Sequence, residues 1–225
     1  MKEKKDQPWW DIPVTLVVAM GVVLLITTFI AKPFSIPSGS MENTLQVGDR
    51  VLVNRVVYHL RPIERGDVVV FDGSGSFVEE ADIPQRNPIV GALTWVGQSF
   101  GIVPPDSTDF VKRVIGVGGD RVTCCDTEGR VTVNDIPLDE QEYLYPGDAP
   151  SEVPFDVIVP EGTLWVMGDH RSNSADSRFH LGDPGGGMVP VDRVVGRTMN
   201  VLWPFDRVQA LPIPQNFASV PQATD

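Results

Sequence analysis

The chain has 225 residues, with 30 acidic against 18 basic side chains and a net charge of −12. The acids are scattered and no basic cluster exists to neutralise phosphates, which argues against nucleic acid as a partner. Its 20 prolines and 21 glycines favour many turns and short strands over long helices.

From Ile12 to Ala31 no residue is charged. A helix over these positions, about 20 residues or roughly 30 Å, matches the hydrocarbon core of a bilayer. Trp9 and Trp10 stand at its start, where indole rings favour the membrane interface. Lys2, Lys4 and Lys5 precede the run and Lys32 alone follows it, which orients residues 1–11 to the cytoplasm and residues 33–225 outside. A cleaved leader is the competing reading. The run is longer than a usual leader's apolar region, and no small-x-small site follows it. The expectation is an uncleaved single-pass anchor in the cell membrane.

A few residues beyond the run lies Ser38-Gly39-Ser40-Met41, a serine-bearing turn close to the membrane surface. Further on, Val51–Tyr58, Val68–Phe71, Phe110–Ile115, Arg121–Cys124, Val131–Ile136, Thr163–Met167 and Val194–Leu202 are short runs rich in Val, Ile, Thr and aromatics. Gly, Pro, Asn or Asp bound them, so they read as strands. Segment 120–136 reads as a hairpin around Asp126–Gly129. The expected fold is mostly β: one N-terminal transmembrane helix at 12–31, then an antiparallel catalytic sheet from 32–119 and 163–207. Residues 120–162 would form a smaller inserted β domain. Residues 72–109 interrupt the pattern and read as a lid or membrane-surface loop, a disordered insert being the plain alternative. Their opening GSGS reads as a flexible linker, and 208–225 as a fraying tail.

The two cysteines, Cys124 and Cys125, are adjacent and cannot staple distant points of one chain. A vicinal bridge and two thiols both fit, and thiols are the commoner state. Neither they nor His59, His170 and His180 show metal-ligand spacing, so no metal and no cofactor is expected.

A serine hydroxyl needs a base before it can attack. Each of the three histidines could serve, since triads assemble through space. An S-x-x-K motif and K-T-G are both absent. Lys112, within DFVKRVIG, is the other option. Alternation sets Phe110, Lys112 and Val114 against Val111, Arg113 and Ile115 without saying which face is buried. As a base, Lys112 would need its pKa lowered from about 10.4 to near neutral, at a cost on the order of 4 kcal/mol. Taken by itself it reads as a solvated edge-strand lysine. The segment GDHRSNSADSR, 168–178, is dense enough in bonding side chains to form a self-satisfying network.

Together IPSGSMENTL, RGDVVVF, DFVKRVIGVGGD and GDHRSNSADSR, in this order behind one anchor, resemble the bacterial type I signal peptidases, serine proteases with a Ser/Lys dyad. The resemblance runs from about Lys32 to Phe205, apart from 72–109. It implies Ser40 as nucleophile and Lys112 as general base. Ser38 would join the backbone N–H of Ser40 in an oxyanion hole. Ser174 would orient the Lys112 amine, and Asp176 and Arg178 would pair to fix their loop. Phe34, Ile36, Val51, Val70, Asp109 and Val111 would shape the pocket for the third residue before the cut. Ile36, Pro37, Met41, Leu45 and Phe110 would surround the residue next to the cut. The implied partners are preprotein signal peptides and the lipid bilayer, with the export machinery as a further candidate. One departure is Asn43, where the family usually has proline before Thr44. Competing readings are a self-cleaving repressor relative, which would carry a DNA-binding segment instead of an apolar run, an inactive anchored scaffold, and a Ser-His hydrolase.

Overall fold

The computed structural model describes residues 10–78, 94, 108–183 and 185–221. Helix α1, Asp11–Phe29, occupies most of the apolar run. It ends two residues short of Ala31, since Pro33 bars the helical conformation at Lys32 and the chain turns extended. The described apolar side chains of α1, from Ile12 to Phe29, are mostly exposed around its whole circumference. Among the described residues, no helix is long and apolar enough to cross a membrane. The side chains at positions 24, 27 and 28 of α1 lie outside the description.

The remaining elements are β1 (Ala31–Ser35), β2 (Arg50–Asn54), α2 (Val57–Leu60), β3 (Val68–Asp72), β4 (Asp109–Val117), β5 (Arg121–Cys124), β6 (Val131–Val133), β7 (Ile136–Pro137), β8 (Phe155–Ile158), β9 (Thr163–Met167), β10 (Val189–Pro190), β11 (Val194–Trp203) and β12 (Gln209–Ala210). Two sheets result, with every paired strand antiparallel. The larger runs β1-β2-β11-β3-β4-β9-β10, with β12 on β11, and the smaller runs β7-β6-β5-β8. Ile115, Trp165 and Met167 of the large sheet share one apolar cluster with Val122, Val131, Val133 and Phe155 of the small one.

The sheet order changes how Lys112 must be read. Strand β4 is central, between β3 and β9, and both its faces are covered. Lys112 and its neighbour Arg113 are therefore both buried, at 3% and 2% exposure, and the edge-strand reading of Lys112 does not hold.

Several expected boundaries shift for local reasons. The strand expected over Val51–Tyr58 stops at Asn54, whose Oδ1 accepts the N–H groups of Val56 and Val57 and turns the chain into α2. The run Val131–Ile136 splits at Asn134 and Asp135, both at positive φ (52° and 65°), a two-residue turn that such side chains tolerate. The hairpin at 120–136 is present as β5 and β6. The GSGS segment is not a linker: the Asp72 carboxylate accepts from both the N–H and the hydroxyl of Ser74, and Phe77 is buried against Phe71 and Phe110. Residues 79–107 of the insert, apart from Thr94, lie outside the described residues. Three residues of the tail are packed against the body of the protein. Leu211 joins the cluster around β2, while Phe217 and Val220 join the one beneath β5. Cys124 and Cys125 are joined as a vicinal disulfide rather than carried as two thiols.

Candidate active site

Ser40 sits in a 3-10 turn, Gly39–Met41, that follows the extended residue Ser38. The turn is held from below. Met41 and Leu45 are fully buried, and the Leu45 N–H donates to Met41 O at 2.7 Å. The Ser40 carbonyl accepts the N–H of His170 at 3.1 Å. Ser40 itself is 7% exposed.

Lys112 reaches the same point from β4, opposite Val69 in the β3 register. Its Nζ lies 2.7 Å from Ser40 Oγ and 3.2 Å from the Val111 carbonyl oxygen. Burial pushes the amine down from the ordinary lysine range to about 8. The Asp176 and Asp169 carboxylates oppose that shift, and Arg178 assists it. Desolvation wins because both carboxylates are already engaged by arginines.

Asp176 is fully buried, and burial alone would raise its pKa. The Arg178 guanidinium, at 2.8 Å to both carboxylate oxygens, and the Gly168 N–H at 2.9 Å hold it below the usual range. Asp169 receives Arg113 on both oxygens, at 2.8 and 2.7 Å, and the hydroxyl of Thr44. The Arg113 guanidinium also stacks 4.2 Å over the Tyr143 ring and donates to Gly66 O at 3.0 Å. Ser177 locks the 168–178 loop to β9, its hydroxyl accepting the Val166 N–H at 2.9 Å.

The structure brings most of the expected residues together. Phe34, Ile36, Met41, Leu45, Val51 and Val70 form one apolar cluster, with Val111 packed against it. Pro37 and Ser38 are exposed at the entry to the serine turn, and Asp109 is half-buried at the start of β4. The Asp176–Arg178 ion pair is present at 2.8 Å. Two positions differ from expectation. Phe110 faces the opposite side of the sheet from Val111 and packs with Phe71 and Phe77, away from Met41 and Leu45. Ser174 Oγ lies buried against the Asp176 carboxylate and makes no hydrogen bond to the Lys112 amine.

Histidine is not the partner of the serine hydroxyl among the described residues. His170 Nδ1 engages Glu42 at 2.9 Å, and His180 Nδ1 engages Asp183 at 2.6 Å. The residues that sequence reasoning did not assign to the site are Glu42, Thr44, Arg113 and His170. All four lie inside the quoted blocks, but their partners are far away in the chain, and nothing in the local pattern pairs them.

A hydroxyl and an amine in hydrogen-bond contact are thus shielded together beside an apolar lining on an antiparallel β scaffold. Similarity to known proteins places the chain among peptidases. A family model for signal peptidase, peptidase S26, matches residues 9–203, and the chain belongs to that family of serine peptidases. It is 40% identical to a probable signal peptidase I of Mycobacterium leprae over 91% of this chain and 79% of that one. It is 41% identical to the signal peptidase I of Mycobacterium tuberculosis over 88% and 73%. It is 33% identical to that of Leptolyngbya laminosa over 95% and 89%. A crystal structure of a signal peptidase I from Enterococcus faecalis overlaps 61% of this chain and 97% of that one, at 20% identity and a TM-score of 0.37.

Proposed function

We propose that the chain is a membrane-anchored endopeptidase that removes signal peptides from exported preproteins, with Ser40 as nucleophile and Lys112 as general base. The observation that carries this reading is the 2.7 Å contact between Lys112 Nζ and Ser40 Oγ, both buried. In its neutral form the amine accepts the Ser40 proton as Oγ attacks the scissile carbonyl. The resulting ammonium returns that proton to the departing amine, leaving an acyl group on Ser40. The amine then draws a proton from water, whose oxygen attacks the acyl carbon and frees the serine. The Ser38 hydroxyl and the Ser40 N–H are the donors assigned to the developing oxyanion.

The cluster of Phe34, Ile36, Met41, Leu45, Val51, Val70 and Val111 supports the small-x-small specificity. This apolar lining beside the Ser40 turn suits apolar rather than charged substrate side chains. An extended substrate can align with Asp109–Val111 and Phe34–Ser38 through main-chain bonds that make no demand on its sequence. Helix α1 is assigned as the anchor. It lies within the uncharged run Ile12–Ala31, and its described apolar side chains face outward on all sides. The catalytic sheet then lies outside, and enzyme and substrate share one bilayer, which raises their effective concentration.

Cleavage of a preprotein by purified full-length protein in detergent tests the reading. Ser40→Ala and Lys112→Ala should each abolish processing with the melting temperature little changed. Processing by Lys112→Ala at close to the unmodified rate defeats the assignment.

A further inference from the structure

His170 and Glu42 tie the serine turn to the 168–178 loop at two points, and neither has a part in the chemistry described above. The His170 N–H donates to the Ser40 carbonyl at 3.1 Å. Its ring Nδ1 lies 2.9 Å from Glu42 Oε2, two residues beyond the serine. A carboxylate can only accept, so Nδ1 carries the proton, and a hydrogen bond to an ionised oxygen is among the stronger kinds. The ring lies flat on Tyr145, with centroids 3.8 Å apart and planes 11° from parallel. Tyr145 is fixed in turn by its N–H on Asp169 O at 2.9 Å.

Two glycines make room for this arrangement. A Cβ on Gly39 would lie 2.9–3.0 Å from the Glu42 carboxyl group, which folds back over the turn. A Cβ on Gly168 would collide with the Ser40 carbonyl oxygen and the Ser174 hydroxyl. The 168–178 loop that carries His170 also carries Asp169 and Asp176, the two carboxylates whose charge reaches Lys112. One contact set therefore places the serine peptide and the surroundings of the lysine relative to each other.

We infer that His170 and Glu42 are positioning residues that clasp the Ser40 turn and hold its hydroxyl in register with the Lys112 amine. The inference rests on the reading of Ser40 as nucleophile. Misplacing a reacting atom by about 1 Å can cost on the order of 100-fold in rate, so the loss should appear in turnover rather than in substrate affinity.

The experiment compares purified full-length His170→Ala, Glu42→Ala, the double variant, His170→Asn and Ser40→Ala on one preprotein. Each single alanine variant should lower kcat roughly 10- to 100-fold with KM within about two-fold. The double variant should be no slower than the slower single, since both break one contact. His170→Asn, whose amide nitrogen can take the place of Nδ1, should recover most of kcat. Glu42 is a third exposed, so Glu42→Ala reads the same contact should His170→Ala unfold. Unchanged kcat in both single variants, multiplying losses in the double, or a loss carried by KM overturns the clasp. Full activity in Ser40→Ala overturns the nucleophile assignment instead, and the two failures are separable in one assay set.

Discussion

Shifting pH is the perturbation that reads the buried lysine most cleanly. With the Lys112 amine pushed down to about 8, roughly 9% of it is neutral at pH 7, against about 0.03% for an amine at the ordinary 10.5. Burial thus raises the supply of base by roughly two orders of magnitude at neutral pH, an effect worth about 3 kcal/mol. The sign follows from the role. A general base works when deprotonated, so kcat/KM should climb with pH, rise about ten-fold per pH unit well below the midpoint, and level off above about pH 9. The assay is cleavage of a soluble fluorogenic peptide by full-length protein in detergent, between about pH 6 and pH 10. A flat profile over that interval, or a rise centred above about pH 10, would refute the reasoning, because neither is the titration of a general base with its midpoint near 8.

Asn43 has φ at 84° and its side-chain amide donates to Leu144 O at 3.0 Å. Proline cannot adopt that backbone, so Asn43→Pro should destabilise by about 2 kcal/mol or more, while Asn43→Gly should cost less than about 1 kcal/mol, read by thermal melting. Phe217→Ala in the C-terminal segment should destabilise by about 3–5 kcal/mol, because the ring is 5% exposed and packs on Gly66 and Tyr143; a loosely attached tail would show no change. Gly168→Ala would drive a methyl group into the Ser40 carbonyl and should lower kcat on a preprotein by at least about ten-fold, while core packing elsewhere stays intact. An active Gly168→Ala variant would show that the serine turn tolerates displacement.

Much of the sheet was legible because its strands are short, β-branched and bounded by breakers. Phe155–Ile158 was not, since four residues beside Pro154 give no repeat to count. The apolar run was read two residues too long because Ala31 is apolar, yet it already pairs with Asn54 as a strand. The burial of β4 could not be read from alternation. A strand covered on both faces places Lys112 and Arg113 inside alike, and only the pairing of distant segments reveals this. Ser40 and Lys112 are separated by 72 positions, so their contact was accessible only through the order of the quoted blocks. Phe110 shows the limit of that route. A residue next to Val111 in the chain projects to the opposite side of the sheet, and block matching does not see the pleat. The Pro-rich tail packs through Leu211, Phe217 and Val220, whose spacing follows neither helix nor strand.

The protonation of the Lys112 nitrogen itself is open to direct measurement. Full-length protein labelled with 13C at the lysine ε-carbons, assigned by comparison with Lys112→Arg and titrated by NMR, reports the charge of that amine alone. The account predicts a midpoint near 8. A midpoint at or above about 10, the value of a freely hydrated lysine, would contradict it.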